Sequence, residues 1–135
     1  MTADMSALKL TVAVAIGSAV GGVLRLWTTA WIARALPMHL PLGTLFVNVS
    51  GSFAIGAVAA LFLGRWQGSA ATVWPPLLMT GLLGGFTTFS AFSLQTLLLM
   101  QQGRWVEAVI NVVLSVVLCL GAVWLGWQLA VLQQA

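Results

Sequence analysis

Between Gly81 and Ser93 the chain reads GLLGGFTTFSAFS, which places Phe86, Phe89 and Phe92 three residues apart among the hydroxyls of Thr87, Thr88, Ser90 and Ser93. Hydroxyl donors and the positive rims of phenyl rings can stand in for the water around a small anion. A Gly-Gly step followed by two β-branched threonines also opposes a continuous helix. Inside an apolar run, non-helical backbone survives only where it is buried in protein or lines a polar cavity. This stretch is therefore the first candidate for a working site. Two further stripes could flank it: Thr44, Asn48, Ser52 and Gly56, spaced by four, and Asn111, Ser115, Cys119, Ala122 and Gly126. An asparagine in hydrocarbon must find hydrogen-bond partners, and it does so by gluing helices together or by lining a pathway with its amide. Gly17 and Gly21, in the small-xxx-small pattern of close helix packing, lead up to Arg25. A charge so deep in a span faces a bundle interior, a polar partner or a wet cavity, or it snorkels to the near end.

What is missing narrows the chemistry. No Asp or Glu occurs between Lys9 and Arg104, so proton-coupled carriers and cation pumps lack the carboxylate they place within the membrane. Glu107 stands only at a helix start. His39 lies in a turn between Pro37 and Pro41, and no serine has a nearby base, so nucleophilic and acid–base catalysis lack their parts and no enzyme is expected. A single cysteine, Cys119, excludes an intramolecular disulfide and a multi-cysteine metal site and suits a small buried hydrophobe. Five basic residues make no stripe for nucleic acid. Amides, hydroxyls, ring edges and a guanidinium together favour an anion, and the pathway they form should be anion-selective.

These groups need elements to position them. With 61% hydrophobic and 5% charged residues in 135, the chain is an integral membrane protein, since soluble domains carry about a quarter charged residues. Four apolar stretches, about 8–33, 42–63, 73–100 and 106–132, meet the requirement of about 20 residues per span. Breakers separate them: Pro37 and Pro41, then Gly64 to Thr72, then Gln101 to Trp105. The expected fold is an all-α membrane bundle of four transmembrane helices, the third broken mid-membrane, forming one transmembrane domain over residues 1–135. Asp4 and a lone Lys9 before a long, arginine-bearing apolar segment do not make a cleaved signal peptide, so the first span is read as permanent. Four crossings put Trp66, Trp74, Trp124 and Trp127 at one membrane face and Trp27, Trp31 and Trp105 at the other, the level such rings prefer. Loop cations are nearly balanced, Lys9 and Arg65 against Arg34 and Arg104, two against two, or two against three if Arg25 leans to the second side. That balance permits insertion in both orientations and an antiparallel homodimer.

Four blocks carry a resemblance to a known family: GGVLR at Gly21 to Arg25, GTLFVNVSGSF at Gly43 to Phe53, GLLGGFTTFSAFS, and the NVVLS and AVWLG pieces from Asn111 to Gly126. Together they cover nearly the whole chain, and it resembles the small bacterial fluoride channels, the CrcB or Fluc family. The resemblance implies a dual-topology antiparallel homodimer in the bacterial inner membrane, with two pores. Through these, fluoride that entered as neutral HF would leave the cytoplasm passively, conferring fluoride resistance. Carried over, the pore aromatics match Phe89 and Phe92 and the pore amide matches Asn48. Thr44 and Ser90 are polar neighbours of the path, Ser115 is a further candidate, and Arg25 serves structure or attracts anions. The family also holds a structural sodium ion at the dimer centre on backbone carbonyls of the helix break, here those of Gly84 and Thr87. That agrees in kind with carbonyls freed by a broken helix.

One departure from the family pattern stands in the third block, where the family commonly reads TTFSTF and this chain has Ala91. Conduction is expected to survive at an altered rate, and unchanged flux after Ala91→Thr would show the position idle. Tyrosine, which some relatives use in the fourth helix, is absent. Selectivity for fluoride over chloride is expected from a narrow path whose donors replace a tight hydration shell and whose width rejects the larger ion. A small multidrug exporter, also four helices with either orientation, should carry a glutamate in its first span, and none is present. A non-transporting scaffold subunit held by Gly17, Gly21 and Asn48 would give no flux.

Overall fold

The computed structural model describes residues 2–37, 40–65 and 73–134. The chain is all-helical. Helix α1 runs over Thr2–Ala35 and α2 over Leu42–Arg65. The third crossing is assembled from a π-helical stretch Pro76–Leu83, a short α3 Gly84–Phe86 and then α4 Phe89–Gln101, and α5 covers Trp105–Leu132. Four segments are long and apolar enough to cross a membrane: Ser6–Ala35, Leu42–Phe62, Pro76–Gln101 and Trp105–Leu132. The first exceeds the sequence-based span by two residues at each end, because no breaker precedes Leu36 and Pro37. His39, Trp66 and most of the expected second connection lie outside the described residues.

The interior is unlike that of a soluble domain. Most buried residues are small or polar, Ala60, Ala108 and Ala130 beside Thr44, Thr88, Thr96, Asn111 and Ser115, and only Ile32, Val47 and Leu99 among the described residues add larger aliphatic side chains to the buried set. Large apolar side chains such as Leu8, Ile16, Leu120 and Leu132 point outward. Lipid is as apolar as leucine, so burying leucine gains little in a membrane, whereas close backbone approach and interhelical hydrogen bonds do hold helices together. Exposed Trp27, Trp31, Trp105 and Trp124 suit headgroup contact at the span ends.

Two seams of close approach fix the bundle. Along the α2–α5 seam, a Cβ on Gly56 would strike the Val123 carbonyl and one on Gly126 would strike that of Phe53. Along α1, a Cβ on Gly17 would lie 2.6 Å from the Leu77 carbonyl and 2.8 Å from the Leu82 amide nitrogen. The small-xxx-small pair of α1 therefore receives the π-helical stretch rather than another regular helix. The turn into α5 closes on Gly103, at φ 73°, with Arg104 N–H donating to the Leu99 carbonyl at 2.9 Å. Glycine is the residue that takes this left-handed conformation without strain.

Candidate functional site

Two residues carry the chain across the interruption in its third crossing. Thr87 (φ −78°, ψ 158°) and Thr88 (φ −153°, ψ 110°) are both extended, so the backbone groups around them lose their helical partners. Thr87 N–H keeps its helical partner, and the other three groups at Thr87 and Thr88 are met by side chains. Thr87 N–H donates to the Leu83 carbonyl at 2.9 Å, and the Thr87 carbonyl accepts from Arg25 Nη1 at 3.3 Å. Thr88 N–H donates to Asn48 Oδ1 at 2.7 Å, while Asn48 Nδ2 donates to the Thr88 carbonyl at 3.1 Å. Thr88 Oγ1 then caps α4 by accepting from Ala91 N–H at 3.2 Å, and it shares a 3.2 Å hydrogen bond with Ser90 Oγ. Side chains of α1 and α2 thus close a gap that the third segment cannot close itself.

The sequence left Arg25 between the near membrane end and the interior, and the structure turns it to the interior. Asn48, half-buried, combines both uses open to an amide within a span. It holds the break, and its carboxamide also lines a cavity of about 430 Å³ with Thr88, Phe89, Phe92, Ser115 and Cys119. The Phe89 and Phe92 rings stand 5.3 Å apart at 51°, an edge-inclined pairing. Phe89 is 78% exposed, so this cavity opens on the outer surface of the single chain. Its other wall comes from the polar stripe of α5, where Ser115 is buried.

Not all the expected residues meet there. Thr44, Ser90 and Arg25 line a different cavity of about 620 Å³, on the other side of α4, together with Ala91 and Gln95. Thr88 lines both. Residue 91 therefore faces the Arg25 cavity, and a threonine there would add its hydroxyl to that side rather than between the two rings. Asn111, grouped by spacing with Ser115, is spent on packing: its Nδ2 donates to Thr96 Oγ1 at 2.8 Å, and Thr96 Oγ1 donates to the Phe92 carbonyl at 2.8 Å. Sequence reasoning passed over Thr88 and Gln95 as site residues. The first was legible as the N-cap threonine ahead of α4; the second is one amide on a helix face with no partner stripe in sequence.

The interruption also brings two unlike helix ends together. The carbonyl end of α3 is electronegative and the N–H end of α4, which is 13 residues long, is electropositive. Gly84 lies on the carbonyl side. The N–H four residues on, that of Thr88, is diverted to Asn48, and a Cβ on Gly84 would meet only the Met79 carbonyl, at 3.4 Å. No group of three or more metal-ligating His, Cys, Asp or Glu side chains occurs among the described residues, and the oxygen atoms at the break are those of backbone carbonyls and of the Thr87 and Thr88 hydroxyls.

Comparison with known proteins agrees with the motifs. The model of the family described as CrcB-like protein, Camphor Resistance (CrcB), matches residues 12–127. A protein of Paramagnetospirillum magneticum named "Fluoride-specific ion channel FluC" is 52% identical over 113 residues, 84% of this chain and 88% of its own. A Rhodospirillum rubrum protein of the same name is 50% identical over 119 residues, 88% of this chain and 92% of its own. One from Opitutus terrae, again so named, is 47% identical over 124 residues, 92% of this chain and 94% of its own. With four helices long and apolar enough to span a membrane, a family match across nearly all of them, and about half of the aligned residues shared with these relatives, this multi-pass membrane protein belongs to the CrcB family.

Proposed function

We propose that this chain is a fluoride-selective channel that lets fluoride leave the cytoplasm passively across the bacterial inner membrane. The observation that carries the reading is the interruption of the third crossing at Thr87 and Thr88. There the positive end of α4, the Asn48 amide, the hydroxyls of Thr88 and Ser115 and the rings of Phe89 and Phe92 converge with no carboxylate among them. Such a set offers hydrogen-bond donors and electropositive edges to a small anion. The names of its relatives supply the anion. HF crosses the membrane neutral and ionises in the less acidic cytoplasm, so the gradient drives export without ATP.

The 78% exposure of Phe89 supports a second copy over this face, packed antiparallel as the balanced loop charge permits, with two pores in the dimer. Thr44, Ser90 and Arg25 then serve as the polar approach to the break. Sodium fits as a structural ion at that interface, because the Gly84 and Thr87 carbonyls are oxygen donors of the right hardness. One chain supplies too few of them, so both copies would contribute. The Arg25 guanidinium on the Thr87 carbonyl counts against Thr87 and leaves Gly84 the better donor.

The test is purified protein in liposomes with a fluoride electrode, comparing wild type with Phe89→Ile and running chloride in parallel. Fast fluoride release that is lost in the variant and absent for chloride is expected. No release from folded protein would leave the scaffold reading, and equal chloride permeability would sink the selectivity.

A further inference from the structure

Away from the break, α1 holds a groove of about 480 Å³ between its first turns and the start of the π-helical stretch. Leu8, Val12 and Ile16 line it at the four-residue spacing of one helix face, Ala13 is the small residue among them, and Leu77 closes it from the third crossing. Lys9 is the only polar side chain in the lining. The three large apolar side chains of α1 are exposed and Ala13 is half-buried, so the groove opens outward, to lipid in a chain that spans a membrane. It shares no residue with the cavities around Asn48 and Arg25.

The charge in this lining is uncompensated. Lys9 lies just inside the first span, which begins at Ser6, and it forms no hydrogen bond or ion pair with any described residue. Asp4 stands five positions before it, outside the three- and four-residue spacings at which helical side chains pair. A lysine near a span end lays its stem along apolar surface and lifts its ammonium to the headgroups. Here that apolar surface is a groove, running about 10 Å along the helix from Lys9 to Ile16. A soluble anion would satisfy the ammonium and leave the groove unfilled. A zwitterionic lipid would fill the groove but bring a cation of its own beside the lysine. A lipid of net negative charge answers both features.

We propose that this groove is a binding site for an anionic phospholipid, which seats an acyl chain along Val12, Ala13 and Ile16 and sets its phosphate on Lys9. The site is separate from the fluoride route and does not depend on it. Its effect reaches the third crossing, because Leu77 lines the groove and its carbonyl lies close to Gly17, where a Cβ would come within 2.6 Å. An acyl chain held against Leu77 braces that seam from outside, and a lipid that binds only the folded protein stabilises it.

Native mass spectrometry tests the site on purified protein in detergent, mixed with equal amounts of phosphatidylglycerol and phosphatidylcholine of identical acyl chains. Wild type should retain the phosphatidylglycerol about fivefold over the phosphatidylcholine, and its melting temperature should rise when the anionic lipid is added. Lys9→Gln should bring the two lipids level, whereas Lys9→Arg should keep the preference. Ala13→Leu leaves the charge but fills the groove, and it should lower phosphatidylglycerol retention at least about threefold. Equal retention of both lipids by wild type overturns the proposal, as does a preference that survives Lys9→Gln. Retention untouched by Ala13→Leu overturns it too, since the headgroup alone would then be held. Absence of bound lipid from a dimeric form of wild type would mean that a second copy covers the groove, and that also overturns it. Melting curves without added lipid check that the variants fold, and the wild-type comparison decides even where one does not. No readout here uses fluoride, so this site and the channel reading stand or fall separately.

Discussion

Asn48 and Thr88 pair as two peptide groups would: Oδ1 accepts from the Thr88 N–H at 2.7 Å, and Nδ2 donates to the Thr88 carbonyl at 3.1 Å. Asn48→Leu strands both backbone groups at about 1–3 kcal/mol each. Thermal unfolding in detergent should shift down markedly, and liposome flux should be lost with it. Asn48→Asp keeps the acceptor but loses the donor and sets a negative charge beside the cavity, so it should fold better than the leucine variant and still not conduct. Conduction by Asn48→Leu at the wild-type rate would refute both roles.

The α2–α5 seam leaves no room at Gly56 or Gly126. Gly56→Ala and Gly126→Ala should each destabilise by about 1–3 kcal/mol through forced separation of the helices. Gly121→Ala, at a position where a Cβ meets nothing within 4 Å, should be neutral or slightly stabilising, since alanine is the better helix former. Detergent melting curves of the three variants make the comparison.

Phe89 offers a cleaner split between stability and transport. Its ring is 78% exposed in the single chain and touches Phe92 at 5.3 Å, so Phe89→Ile should leave the fold of the chain nearly unchanged. Flux should nevertheless fall at least about tenfold, because isoleucine has no electropositive edge. A matching loss of stability would mean that the ring is only packing.

Cys119 shares its cavity with Phe89 and Phe92 and is partly exposed. A small water-soluble thiol reagent should therefore block fluoride efflux from wild-type liposomes. The flux that remains in Cys119→Ser should ignore the reagent. Labelling of Cys119 without any change in flux would place the route elsewhere.

Sodium is tested by its removal. Replacing it on both sides of the liposome with a bulky organic cation that cannot fit carbonyl oxygens should lower flux and melting temperature together. Gly84→Ala, whose methyl would meet only the Met79 carbonyl at 3.4 Å, should leave the Gly84 carbonyl in place and preserve the sodium response. Indifference to sodium in wild type would remove the ion from the account.

Much of this was readable from residue types. The four spans followed from hydropathy, because a bilayer imposes a length that counting can check. The trouble spot at Gly84 to Thr88 followed from glycines and β-branched residues set in an apolar run. What could not be read was which side each polar group would take. Thr44 and Asn48 lie four apart on α2, and Ser90 and Phe92 two apart on α4, yet each pair divides between two cavities, because α4 passes between them. Helical spacing gives a face but not the neighbour that splits it. Asn111 went to Thr96 for the same reason: its partner was 15 residues away, beyond any local pattern. The π-helical stretch was hidden as well, since it depends on how α1 receives the segment at Gly17 and Gly21.

The two asparagines of α2 and α5, Asn48 and Asn111, have different evolutionary freedom. Asn111 meets a side chain, Thr96 Oγ1, and a lineage can exchange that pair for another by two substitutions, leaving a trace of covariation between the positions. Asn48 meets only the main chain of Thr88, which every amino acid but proline presents alike. No mutation at position 88 can compensate for its loss, so position 48 is held by a partner that cannot change with it. Among relatives that keep the interruption, it should stand constant without a covarying mate.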